Sequence, residues 1–164
     1  KRQNTPYGES PVSTAMGAYF NKKAYTDPAL RRKYTRMGFW VNIRLIRYPD
    51  VLLMAAESAN EKGLMGEASG YLEQVRAHAR GTLTNVLPKV ESLDQSVLRE
   101  AIRHERRVEL GLEPDRFYDL VRWGIAQEVL QAAGKNYQPK NALLPLPQTE
   151  IDKSNGVLVQ NPDY

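Results

Sequence analysis

The stretch from Leu98 to Gly124 constrains this chain more than any other: Leu-Arg-Glu-Ala-Ile-Arg-His-Glu-Arg-Arg-Val-Glu-Leu-Gly-Leu-Glu-Pro-Asp-Arg-Phe-Tyr-Asp-Leu-Val-Arg-Trp-Gly. Its charges are matched in sign as well as numerous. On a helix, residues three and four apart share a face, so Glu105 sits beside Glu109, and Arg103, Arg106 and Arg107 fall within one turn of a carboxylate. Beyond the break at Pro114, Arg116, Asp119 and Arg122 repeat the arrangement. A lattice of this kind joins helices, and it predicts a packed helical protein.

Helical spacing extends on both sides of this run. Asp50 is expected to cap a long helix whose inward stripe is Val51, Met54, Ala55, Ser58 and Ala59, ending at Gly63. A second helix is expected from about Gly66 to Arg80, packing Ala68, Leu72, Val75 and Ala79. The short link between the two dictates an antiparallel hairpin. A third runs from about Asp94 to Leu110. A fourth starts near Asp115, its cap, and presents Phe117, Leu120, Val121, Ile125 and Val129 over about five turns before Gly134. The fold class is therefore all-α: stacked antiparallel helical hairpins, like the end of a tetratricopeptide superhelix, although the spacing exceeds that repeat's 34 residues.

The flanks differ. Residues 1–48 form an irregular, basic, aromatic-rich segment with a short helix near 27–36, where Asp27 is the N-cap and Pro28 the first helical residue. Residues 39–45 allow an extended stretch. From Asn136 onward Pro139, Pro145, Pro147 and Pro162 predict an extended tail without regular helix, anchored by Leu143, Leu144, Leu146 and Ile151. Residues 49–164 are read as the helical region with this tail, and the whole as one domain.

Charge separates the same two regions. Residues 1–48 carry ten Lys and Arg against Glu9 and Asp27, a balance of +8, and the remainder carries −4, which together give the net +4. No recognition helix, zinc motif or stacking sheet accompanies the basic segment, so the expectation is no nucleic-acid partner. The absence of cysteine removes disulfides, thiolate metal sites and thiol nucleophiles, and His78 and His104 are the only histidines. Metal and cofactor are both expected to be none. No run approaches the roughly 20 apolar residues of a membrane span.

Four ordered blocks resemble the C-terminal region of the SusD/RagB family of nutrient-binding lipoproteins. They are Arg47 to Glu57 (Arg-Tyr-Pro-Asp-Val-Leu-Leu-Met-Ala-Ala-Glu); Val75-Arg76 with Ala79; Glu105 to Leu110 with Arg116, Asp119, Leu120, Arg122, Trp123 and Gly124; and Leu144 to Ile151 with the closing Gln-Asn-Pro-Asp-Tyr of 160–164. The chain departs from the family pattern at Glu73 and His78, where relatives usually have Asn and Arg, and at Glu113-Pro114-Asp115, where they generally have Glu-Gly before the arginine. Read alone, a chain without leader or lipid-attachment cysteine suggests a cytoplasmic protein. The resemblance implies instead a fragment of a longer exported protein, lipid-anchored through its missing N-terminal part on the cell-surface face of the outer membrane. It further implies a TonB-dependent, SusC-like transporter as partner, a glycan as ligand, and no catalysis.

The residues bear on chemistry as follows. Glu105 and Glu109 have the helical spacing for a glycosidase-like acid/base pair, but arginines within a turn favour the ionised forms and oppose a raised-pKa acid. Asp50, Glu57, Arg76, Glu105, Arg106, Glu109, Arg116, Asp119 and Arg122 are therefore expected to be structural ion pairs, with Asp50, Glu57 and Arg76 bridging the first hairpin, and Trp123 to be core. No nucleophile elbow or phosphate loop is present, and the expectation is a non-enzyme. Sugars need flat aromatic faces flanked by polar groups. Tyr7, Tyr19, Tyr25 and Trp40, interleaved with Asn21, Lys23 and Asn42, are the candidate ligand contacts. Two other readings stand beside glycan capture: peptide or other non-sugar nutrient capture by the same scaffold, and a cytoplasmic helical-repeat interaction module.

Overall fold

The computed structural model describes residues 7–8, 21–31, 42 and 44–164. Among them there are seven α-helices and no strand: α1 (Pro28–Arg31), α2 (Tyr48–Glu61), α3 (Met65–Arg80), α4 (Gln95–Glu109), α5 (Arg116–Arg122), α6 (Ala126–Ala132) and α7 (Gln148–Lys153), with 3-10 turns at Lys22–Ala24 and Pro139–Ala142. The chain divides into two compact units, Lys1–Glu105 and Arg106–Tyr164. No helix among the described residues is long and apolar enough to cross a membrane.

In the first unit α2 and α3 form the antiparallel hairpin. Gly63, at φ +77°, closes α2: the Leu64 amide donates to Ala59 O at 2.9 Å and the Gly63 amide to Asn60 O at 3.0 Å. That paired closure needs a left-handed residue, which glycine adopts without steric cost. The core comprises Leu52, Leu53, Ala56 and Ala59 of α2, Ala68, Leu72 and Val75 of α3, and Leu98 and Ile102 of α4. Each fully buried leucine or isoleucine here contributes about 1.5–3 kcal/mol.

The stripe expected on α2 is corrected. Val51 and Met54 are exposed (45% and 43%), and Leu52, Leu53, Ala56 and Asn60 are buried in their place; of the expected set, Ala59 alone is fully inside. Residues 51–56 are apolar throughout, so helical period does not select a face, and the bulk of Leu52 and Leu53 fills the hairpin. Asp50 is not the cap. The helix starts at Tyr48 with Arg47 as N-cap and no side-chain capping bond, and Asp50 lies buried in the first turn, where the helix dipole favours its charge. Ala79 is exposed because the last turn of α3 serves the following loop. There Arg76 donates to Pro88 O at 2.9 Å and Arg80 Nε to Leu87 O at 2.9 Å, while Ser69 Oγ reaches Val90 O at 3.3 Å. Asn60 and Gln95 exchange side-chain amides for backbone oxygens at 3.1 and 2.7 Å, tying the end of α2 to the start of α4.

The sequence readings hold for the N-termini of α1 and α4. Asp27 accepts the Ala29 amide at 2.8 Å with Pro28 as first helical residue, and residues 32–36 and 39–41 lie outside those described. Asp94 Oδ1 accepts the Ser96 and Val97 amides at 2.9 and 3.0 Å. The Ser96 hydroxyl and these amides hold the Asp94 carboxyl below its ordinary value. Because the folded value is depressed, this cap contributes stability in full above the unfolded aspartate pKa, about 4, and loses it as pH falls through the lowered value. The Ser96 and Val97 amide proton resonances should therefore titrate together with a midpoint below that of free aspartate and become flat in Asp94→Asn. Titration surviving in the variant would refute the cap.

The fourth helix is also corrected. It is two helices broken at Gly124 (φ +71°), where the Ile125 amide donates to Leu120 O and the Gly124 amide to Val121 O, both at 3.0 Å, the same closure used at Gly63. Asp115 precedes α5 but makes no side-chain capping bond. The apolar set is otherwise as spaced: Leu120, Ala126 and Tyr137 form the second unit's core, with Phe117, Val121, Ile125 and Val129 against it.

The tail does form regular helix. Proline at the N-terminal boundary of a helix is tolerated, and Pro147 stands immediately before α7. Leu143 and Leu144 are exposed (53% and 71%), not anchors, and Leu146 and Ile151 are half-buried. Polar side chains hold the tail instead. Gln160 accepts the Leu146 amide at 2.8 Å and donates to Leu146 O at 2.9 Å, Asn161 Nδ2 donates to Leu144 O at 2.6 Å, and the Tyr164 hydroxyl donates to Leu143 O at 2.9 Å. The closing Gln-Asn-Pro-Asp-Tyr block is thus a backbone clasp.

Candidate functional site

Two of the four candidate ligand aromatics lie among the described residues. Tyr7 and Tyr25 stack with ring centroids 6.2 Å apart and planes 23° from parallel. At that distance the rings are offset, leaving part of each face uncovered. Tyr7 is 51% exposed and Tyr25 half-buried. The 3-10 turn before Tyr25 fixes its position: the Lys23 amide donates to Asn21 Oδ1 at 3.1 Å, and Arg44 Nη2 donates to Lys23 O at 2.9 Å. The turn that carries Asn21 and Lys23, with Arg44 bonded to it, thus directly precedes Tyr25 in the first unit. Tyr19 and Trp40 lie outside the described residues.

The charged residues are placed differently from a catalytic pair. Arg76 Nη1 donates to Glu105 Oε2 at 2.7 Å, with side-chain exposures of 11% and 3%. In the second unit Arg106 Nε meets Asp119 Oδ2 at 2.9 Å, both nearly buried, and Arg122 Nη2 takes Asp119 Oδ1 at 2.9 Å. Asp50 is buried on α2, Glu57 and Glu109 are half-buried, and Arg116 stands over the Trp123 ring at 5.7 Å. Trp123 is half-buried between two guanidiniums, the other being Arg122 at 5.3 Å, which corrects its reading as simple core. Among the described residues the carboxyls that do shift are all lowered: Glu61 and Glu73 chiefly by hydrogen bonds from Arg99 and Arg80, and Asp94 by its cap bonds. Glu73, a departure from the family pattern, meets Arg80 at 2.9 Å.

Sequence reasoning did not find the Arg99–Glu61 pair at 2.6 Å or the role of Arg80, which grips both Glu73 and the loop carbonyls of Val86 and Leu87. The signal for Arg80 was an arginine at the end of a helix followed by a long loop, and local spacing holds none for Arg99, whose partner lies 38 residues away. His78 and His104 are both exposed, and no group of three acidic or histidine side chains among the described residues is placed to hold a metal.

A family model described as the SusD family matches residues 1–164. The chain is 39% identical over 153 residues to SusD-like protein P25 of Formosa agariphila, covering 89% of this chain and 27% of that protein. It is 36% identical over 127 residues to SusD-like protein P2 of the same organism, covering 73% and 25%. The crystal structure of a SusD homolog from Bacteroides thetaiotaomicron superimposes with a TM-score of 0.67 at 30% identity, over 81% of this chain and 30% of the other. The chain thus spans between a quarter and a third of the length of these relatives.

Proposed function

The chain belongs to the SusD family, and on that premise we propose that it is part of a non-catalytic glycan-capture protein at the bacterial cell surface. The observation that carries the reading is the offset, half-exposed Tyr7–Tyr25 stack, with Asn21 and Lys23 on the turn before Tyr25 and Arg44 bonded to that turn. A tyrosine face covers the apolar C–H face of a sugar ring, while the amide and cations meet its hydroxyls. Glu105 and Asp119 support the non-catalytic part, because both carboxylates are engaged by arginines.

On this proposal a lipid anchor holds the protein to the outer membrane, and the captured sugar passes to a TonB-dependent, SusC-like transporter. Weak capture suffices there, since retention beside the transporter raises the local ligand concentration. Tyr19 and Trp40 belong to the same proposed contact set. Direct retention on an array of plant, host and microbial glycans with a peptide library tests the reading. One glycan class should be retained, and Tyr25→Ala should weaken it by about 5–10-fold, the equivalent of one lost aromatic contact. Retention of peptides alone would replace sugar with peptide as the cargo.

A further inference from the structure

The turn that closes α7 carries a reactive pair of residues. Asn155 is the one asparagine of this chain that is followed by glycine. After the C-cap Ser154 the backbone turns left-handed at both Asn155 (φ +52°) and Gly156 (φ +86°), a conformation that asparagine adopts more readily than most side chains. Both residues are exposed, a Cβ on Gly156 would meet nothing within 4 Å, and among the described residues no acceptor takes the Gly156 amide. That nitrogen has neither a side chain nor a hydrogen bond to keep it from the carboxamide of its neighbour.

The restraints on the turn are weak. The Asn155 amide donates to Asp152 O at 3.3 Å and the Val157 amide to Ser154 O at 3.2 Å, both long for such bonds. An exposed turn held in this way opens at far lower cost than the core. The other asparagines differ in chemistry. Seven precede a residue whose side chain crowds the following nitrogen, and Asn161 precedes Pro162, whose nitrogen carries no hydrogen.

We propose that Asn155 is a self-modification site, converting in the folded protein to aspartate and isoaspartate. Gly156 N, having given its proton to solvent base, attacks Asn155 Cγ. The N–Cγ bond forms, the Cγ–Nδ2 bond breaks, and Nδ2 leaves as ammonia with a proton from water. Water then opens the resulting succinimide: cleavage between Gly156 N and Cγ leaves aspartate, and cleavage between Gly156 N and the Asn155 backbone carbonyl leaves isoaspartate.

The position gives the change a structural consequence. Ser154 Oγ donates to Ile151 O at 2.7 Å and accepts the Leu158 amide at 2.9 Å, so this turn sets where the chain enters the contact between Gln160 and Leu146. Isoaspartate routes the backbone through the former side chain, which lengthens that link by a methylene and adds a carboxylate. The site is separate from the tyrosine stack and stands whether or not the glycan reading holds.

The test is incubation of the folded protein at mildly alkaline and mildly acidic pH, with the urea-unfolded chain alongside, followed by peptide mass mapping and enzymatic methylation of isoaspartate. The tryptic peptide 154–164 should gain the mass difference between an amide and an acid at Asn155 and not at Asn161. Conversion should be faster at the alkaline pH, because the attacking amide must lose its proton, and should run at no less than about one-tenth of the unfolded rate. Gly156→Ala should slow it at least about tenfold in folded and unfolded chains alike, by crowding the nitrogen. The Leu146 amide should exchange faster in the isoaspartate form than in the unmodified protein. A folded rate below that one-tenth, an unchanged rate in Gly156→Ala, or earlier conversion at another asparagine would overturn the proposal, and unchanged Leu146 exchange would overturn its structural consequence.

Discussion

Replacing Asp119 with alanine is expected to destabilise the second unit by about 3–5 kcal/mol, the cost of leaving a buried charge without its partner. The side chains of Arg106 and Asp119 are 5% and 7% exposed, so Arg106 regains little hydration when the carboxylate is removed. Asp119 also holds Arg122, but that guanidinium is 49% exposed and rehydrates at little cost. The effect is therefore nearly all Arg106. Urea unfolding followed by Trp123 fluorescence measures it, and the double variant Arg106→Met with Asp119→Leu should recover most of the loss, because apolar replacement of both partners removes the stranded charge. A matching exposed pair sets the contrast: Lys153 and Glu150, 72% and 53% exposed, should contribute no more than about 0.5 kcal/mol. A loss below about 1 kcal/mol in Asp119→Ala would mean that Arg106 is hydrated in the folded protein.

Arg76→Met is expected to cost about 3 kcal/mol by stranding Glu105, whose side chain is 3% exposed. The choice of partner matters. Arg76 is 11% exposed and also donates to Pro88 O, so Glu105→Gln leaves the arginine with an amide oxygen and a carbonyl and should cost about half as much. Methionine preserves much of the arginine's apolar bulk and isolates the electrostatic loss. Arg76→Met should also loosen the loop between α3 and α4, leaving it to Arg80 through Val86 and Leu87 and to Ser69 through Val90. Faster amide exchange across residues 83–90 alongside the lower urea midpoint is the expected pair of results. A lower midpoint with unchanged exchange would show that the Pro88 contact carries no part of the loop's order.

These two pairs show where sequence reasoning succeeded and where it stopped. That the run from Leu98 to Gly124 holds helices together by charge was legible from residue types. The partners were not: Arg76 and Glu105 lie 29 residues apart and Arg106 and Asp119 lie 13 apart, so helical spacing, which supplies contacts such as Arg122–Asp119 and Arg103–Glu100, is silent about them. Desolvation selected the long-range pairs, because the buried carboxylates needed the arginines that tertiary packing brought nearest. The buried face of α2 was ambiguous for a different reason, since six consecutive apolar residues satisfy either face. Gly124 was visible as a glycine, yet only the paired closure onto Leu120 and Val121 makes it a break rather than a tolerated interior residue. In the tail, counting prolines hid α7, because Pro147 sits where a helix begins.

The aromatic segment was legible as composition but not as geometry. Tyr7 and Tyr25 are 18 residues apart in the chain and stand 6.2 Å apart as rings, a juxtaposition that no local pattern encodes. Its neighbours Asn21 and Lys23 take their positions from one side-chain bond at the 3-10 turn. The blocks that resemble the SusD family lie instead in α2 to α5 and the tail, where they serve packing and the backbone clasp. The proposed ligand contacts and the residues that hold the fold thus occupy different stretches of this chain.

The measurement that meets the central claim most directly is an intermolecular NOE experiment on the protein with whichever glycan the array retains. Glycan capture on the tyrosine stack predicts cross-peaks from sugar ring protons to the Tyr7 and Tyr25 rings, lost together with binding in the Tyr7→Ala and Tyr25→Ala double variant. Cross-peaks confined to other residues, or binding that survives the double variant, would contradict it.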